Sequence, residues 1–139
     1  MNRHLATALI AGALLLGAAP PAAPGDAEEV RAVISEQLAA FKAGDADGAY
    51  AHAAPGIRAL YPDPDQFMAM VERGYGAVYR SSMVSFGALE AEGDLLRQEV
   101  RLSDPRGAGH VATYILQRQA DGTLAIAAVV MRRSNDIAA

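Results

Sequence analysis

Residues 61–80 read YPDPDQFMAMVERGYGAVYR, and the fold turns on how that run divides. Asp63 can cap a helix, and Pro64 suits a first helical position because its missing N–H has no partner there in any case. Phe67, Met68, Met70 and Val71 then form an apolar stripe at helical spacing that stops at Gly74. The remainder, Gly-Tyr-Gly-Ala-Val-Tyr-Arg, has no such period and reads as a joint. Helical patterning lies before it and strand patterning after it.

Upstream, Asp26-Ala27-Glu28-Glu29 is an acidic helix start, with Asp26 as the cap and Glu29 placed as a capping-box acid. Val30, Val33, Ile34, Leu38 and Phe41 continue at helical spacing. Gly44 ends this helix, since glycine takes the left-handed C-terminal conformation without strain. Asp45 caps again for a second helix over 46–53, whose inward face carries Ala49, Tyr50 and Ala53. Pro55-Gly56 closes it, and residues 57–61 fit either an extended piece or a single turn.

Downstream the period drops to two. Strands are predicted over 82–91, 95–103, 110–119 and 124–132, with turns at Glu92-Gly93-Asp94 and Asp121-Gly122 and a longer loop over 103–109. In the second strand Val100 and Leu102 oppose Arg97, Glu99 and Arg101. In the third, Ala112, Tyr114 and Leu116 oppose Val111, Thr113 and Ile115. The fourth strand is apolar on both faces, the pattern of a strand covered from both sides. Helices cover one side; a second subunit, or the chain's own loops, covers the other.

The N-terminus is of a different kind. Arg3 and His4 precede an apolar run from Leu5 to Ala19 and then small residues, the pattern of a secretory signal peptide over 1–25. The run is shorter than the roughly twenty apolar residues a membrane span needs. The expected product is an exported protein, periplasmic or extracellular, starting at Asp26 with a single domain over 26–133 and a tail over 134–139. The chain has 12 basic and 16 acidic residues; losing Arg3 leaves 11 against 16, a net charge of −5. With Lys42 the sole lysine and the arginines scattered, no basic stripe is available for nucleic acid. The absence of cysteine removes disulfides, thiolate metal sites and thiol nucleophiles together.

Ala54-Pro55-Gly56-Ile57-Arg58, Phe67-Met68-Ala69-Met70-Val71, Gly74-Tyr75 and Val78-Tyr79-Arg80 before the Phe86-Gly87 strand together resemble a bacterial family, domain of unknown function 4864. The Phe41-Lys42-Ala43-Gly44-Asp45 turn and the order of helices before strands place that resemblance within the nuclear-transport-factor-2-like superfamily. It implies an α+β fold in which three N-terminal helices pack on a curved four-stranded antiparallel sheet, cone-like or cystatin-like, with a pocket between the layers. It also implies a homodimer through the outer sheet face. It implies no activity, because the superfamily holds isomerases, dehydratases, hydrolases and inert binding domains.

An isomerase or dehydratase site needs a carboxylate in an apolar pocket beside a tyrosine. Tyr50, Tyr75, Tyr79 and Tyr114 are available, but no carboxylate is embedded in an apolar run. His52 can line a pocket or serve as a hydrogen-bonded structural residue; His110 follows a glycine-rich loop and reads as exposed. Neither has a histidine at i+4, so no metal site is expected, and no motif calls for a cofactor. Tyr75, Tyr79 and Arg80 form the leading candidate group. They can line a pocket mouth for a small apolar or acidic ligand. Alternatively Tyr79 packs on the sheet with its hydroxyl bonded to backbone, while Arg80 bonds helix-end carbonyls or Glu72. The structural reading is favoured, as is non-catalytic binding over enzymatic function.

Overall fold

Period-two patterning after residue 82 builds an antiparallel sheet in which every strand pairs with its neighbour in sequence. The strands are β1 (Met83–Glu92), β2 (Leu95–Ser103), β3 (Gly109–Arg118) and β4 (Leu124–Arg133), in the order β1-β2-β3-β4. Each end lies within one residue of the sequence expectation. The structure, a computed structural model, describes residues 23–134. Nearly all of the expected signal peptide, and the tail beyond Ser134, lie outside the described residues.

The register puts Val100 between Phe86 and Ala112, and Tyr114 between Gln98 and Val129. Leu96, Gln98, Val100, Leu102, Ala112, Tyr114 and Leu116 are therefore buried on one face, while Arg97 and Arg101 are exposed on the other. Two bulges interrupt the ladder. In β1, Gly87 and Ala88 fall between the pairs Phe86 to Val100 and Leu89 to Gln98. In β4, Ala127 is the extra residue between the pairs Leu116 to Ile126 and Ile115 to Ala128.

β4 is an edge strand, and residues 52–54 pair with its open edge at Ile126. The Ala54 N–H donates to the Ile126 carbonyl at 2.9 Å, and the Ile126 N–H donates to the His52 carbonyl at 2.7 Å. The chain thus closes the edge of β4 in the stretch where Leu124, Ala125 and Ile126 are buried. Farther along, Val130 is 64% exposed.

Among the described residues five helical segments precede the sheet where three were expected: α1 (Pro24–Ala43), α2 (Ala46–Tyr50), α3 (Pro55–Leu60), α4 (Pro64–Gly74) and α5 (Gly76–Tyr79). The α+β class is unchanged. The additional segments are short: Pro55 opens a helix of its own, the helix expected over 46–53 having ended at Tyr50, and the joint contains a single helical turn. Gly44, at φ 69°, ends α1, and Asp45 caps α2 by accepting from the Gly48 N–H at 3.0 Å. Asp63 caps α4 by accepting from the Asp65 N–H at 2.7 Å.

Asp26 does not cap α1. The helix starts at Pro24, with Ala23 as an N-cap that makes no side-chain bond. Asp26 and Glu29, three residues apart on one helix face, instead receive the Arg118 guanidinium from the end of β3 at 3.0 and 2.8 Å. With the helix already opened at Pro24, Asp26 lies within its first turn and not at the cap position, and its carboxylate makes a charge-assisted bond to the guanidinium. The bonds to Arg118 tie the start of α1 to the last hairpin.

The core lies between α1 and α4 on one side and the inward sheet face on the other. α1 contributes Val30, Ile34, Leu38 and Phe41, and α4 contributes Phe67, Met68 and Val71. Phe67 meets Phe41 at 6.1 Å and the Tyr50 ring edge-on at 5.5 Å between centroids.

Candidate functional site

The helices do not close completely on β4. A cavity of about 280 Å³ remains, near the lower end of the roughly 300–1,000 Å³ common for small-molecule sites. Its walls are built by Gln37 and Phe41 of α1, Ile57 and Leu60 of α3, and Phe67, Met70 and Val71 of α4. Tyr61, Tyr75 and Val78 follow from the helix ends, and Ile126 to Val129 complete it from β4. The β4 bulge falls within this wall and presents Ala127 and Ala128, two small residues that leave the space open. Leu60 lines the cavity yet is 75% exposed, so the cavity opens beside α3.

The lining contains no Asp, Glu, His, Lys or Arg. Its polar side chains are those of Gln37, Tyr61 and Tyr75. Neither hydroxyl has a hydrogen-bond partner among the described residues. Such a surface can desolvate an uncharged molecule and offer it hydrogen bonds, but it supplies no carboxylate or imidazole to move a proton.

Of the six residues expected to line a pocket, Tyr75 lines this cavity. Tyr50 braces the core instead: its hydroxyl donates to the Tyr61 carbonyl at 2.6 Å, and Arg58 lies 4.7 Å over its ring. His52 faces an open groove shared with Arg58 and Asp121, its Nε2 3.4 Å from Glu36 Oε1. Tyr79 packs on Phe41 at 5.9 Å, and its hydroxyl bonds no described residue, so the expected backbone bond is not made. Arg80 pairs with Glu72 at 2.8 Å and stacks 5.2 Å from the Tyr79 ring.

Tyr114 is fully buried in the core. Its hydroxyl has no partner among the described residues, and burial pushes its pKa up. An unpaired buried hydroxyl costs about 1–3 kcal/mol. His110 stands at the start of β3, as expected, but is half-buried and not exposed, and it serves the β2–β3 loop: its Nε2 lies 3.2 Å from Asp104 Oδ2, while Asp104 Oδ1 accepts from the Arg106 and Ala108 N–H groups. The bond to His110 is the main influence holding the Asp104 carboxyl below its ordinary pKa.

Gln37 and Tyr61 escape the sequence reading, although both carry a signal. Gln37 stands three residues after Ile34 and four before Phe41, a polar residue on the apolar stripe of α1. Tyr61 stands four residues after Ile57, on the same side of α3.

A four-stranded antiparallel sheet with helices over one face and an apolar cavity between them is a fold shared with solved nuclear-transport-factor-2-like proteins. The same fold occurs in a nuclear-transport-factor-2-like protein of unknown function from Silicibacter pomeroyi. That match has a TM-score of 0.56 and 16% identity, over 79% of this chain and 97% of that one. It occurs too in Aln2 from a Streptomyces species, with a TM-score of 0.54 and 16% identity, over 85% and 97% of the two chains. Within this class, the chain belongs to the family described as a domain of unknown function, DUF4864, matched over residues 23–139. No curated protein gives a significant match.

Proposed function

We propose that this domain is a non-catalytic binding protein that takes a small apolar ligand into the cavity between α1, α3, α4 and β4. The observation that carries the reading is the lining: apolar and aromatic walls with three uncharged polar side chains and no carboxylate, imidazole, amine or guanidinium. An acidic ligand has no counter-charge there, because Arg80 is outside the lining and bonded to Glu72. Titration with the uncharged dye N-phenylnaphthylamine tests it. Emission should rise saturably at one dye per chain, and Val129→Phe, which fills the cavity from its β4 wall, should weaken binding at least tenfold while leaving the circular dichroism unchanged. Saturable binding that Val129→Phe leaves intact would place the dye elsewhere and remove the proposal.

The proposal extends to an exported homodimer. The N-terminal pattern over 1–25 supports export, and the exposure of Val130 on the outer sheet face supports an interface there. Native mass spectrometry of protein recovered from the exported fraction reads both parts. A doubled mass and a chain shortened by about 25 residues are the expected result; a full-length monomer would contradict both.

A further inference from the structure

We propose that the cavity selects a ligand bearing a hydroxyl or N–H donor, received by Gln37 Oε1. This rests on the binding reading above and narrows it to a chemical class: an uncharged, mostly apolar molecule with one hydrogen-bond donor. Gln37 is 3% exposed and lies on the buried stripe of α1, yet it lines the cavity. Its Nε2 donates to the Ala49 carbonyl at 3.0 Å. A carbonyl can only accept, so the amide must turn its N–H side to Ala49, and this leaves Oε1 as the free end. Oε1 has no partner among the described residues, and it is absent from the fully enclosed unpaired atoms, which are Ser81 Oγ and Tyr114 Oη. It is therefore a reachable acceptor held in place by its own amide nitrogen.

The consequence for recognition is asymmetric. A ligand with a hydroxyl satisfies Oε1, whereas an ether or hydrocarbon of the same shape dries the acceptor without pairing it. The hydroxyls of Tyr61 and Tyr75 can rotate to donate or accept, so they tolerate either kind of ligand. Gln37 is the group that discriminates. A carboxylate is rejected twice, by the absence of a cation in the lining and by facing the Gln37 oxygen.

Displacement of N-phenylnaphthylamine by a matched naphthalene series tests this: the hydrocarbon, the naphthol, its methyl ether and the naphthoate at neutral pH. The naphthol should bind about fivefold or more tighter than the methyl ether, and the naphthoate at least about tenfold more weakly than the naphthol. In Gln37→Met, which keeps the length and removes the acceptor, the naphthol-to-ether ratio should fall to near one. If that variant does not fold, the wild-type series alone decides. An ether equal to or tighter than the naphthol overturns the donor requirement, and a naphthoate that binds tightest overturns the uncharged class. If the dye binds and no member displaces it, this inference fails while the apolar cavity stands. If the dye itself does not bind, both readings fall.

Discussion

Phe67→Ala should lose about 3–5 kcal/mol of unfolding free energy, the range for truncating a buried phenylalanine. Phe67 is 4% exposed and sits where three elements meet, against Phe41 of α1 and the edge-on Tyr50 ring of α2. It also forms part of the cavity wall, so the truncated site opens into existing space and its neighbours have little to collapse onto. In a domain of this size, whose total stability is on the order of 5–15 kcal/mol, the melting temperature should fall by roughly 15–30 °C. Phe67→Leu, which keeps most of the volume, should recover the greater part of that loss. Thermal and urea unfolding of both variants measures the difference; a Phe67→Ala protein that melts with the wild type would show that the cluster is not closed around this ring.

Gln98→Leu should cost about 1–3 kcal/mol through a different mechanism. Gln98 is 1% exposed on the inward face of β2, beside the β1 bulge. Its Nε2 lies 3.0 Å from the Gly87 carbonyl, 3.2 Å from that of Ala88 and 2.8 Å from that of Glu99. Gly87 and Ala88 fall outside the regular β1–β2 pairs, and the Gln98 amide reaches their carbonyls together with that of Glu99. Leucine matches the size and apolar surroundings, so a purely hydrophobic account predicts no loss or a gain. Hydrogen exchange provides the local measurement: amides across the β1–β2 bulge should lose protection before those between β3 and β4. Equal protection in both regions would show that the bulge does not depend on Gln98.

Much of the backbone architecture was legible because it depends on signals carried within a few residues. Asp45 and Asp63 cap the helices they were expected to cap, Gly44 takes the positive φ its position requires, and Asp121-Gly122 turns β3 into β4. The strand bounds followed from period-two alternation, since each side chain's face is set by its place in the pleat. Misreadings arose where two local rules competed. Pro55 reads as an end because proline breaks a helix, but it also starts one, and the following residues form α3. Asp26 and Glu29 satisfied the pattern for a capping box and were drawn instead to Arg118, 92 and 89 residues away.

The site was less legible for the same reason in reverse. Tyr50, Tyr79 and Arg80 have conspicuous chemistry, but their neighbours occupy them: the Tyr61 carbonyl, the Phe41 ring and Glu72. Which side chains remain free depends on contacts between residues distant in sequence, and no local period records those contacts. Local patterning was enough for the class of fold, the division between helices and strands around residues 74–80, and the faces that β2 and β3 residues present. Packing between distant elements is what leaves a gap between α3, α4 and β4, and what commits the amide nitrogen of Gln37, on the wall of that gap, to Ala49. The reason is physical: short-range sterics and capping act along the chain, whereas a cavity and a free acceptor exist only once separate elements have packed.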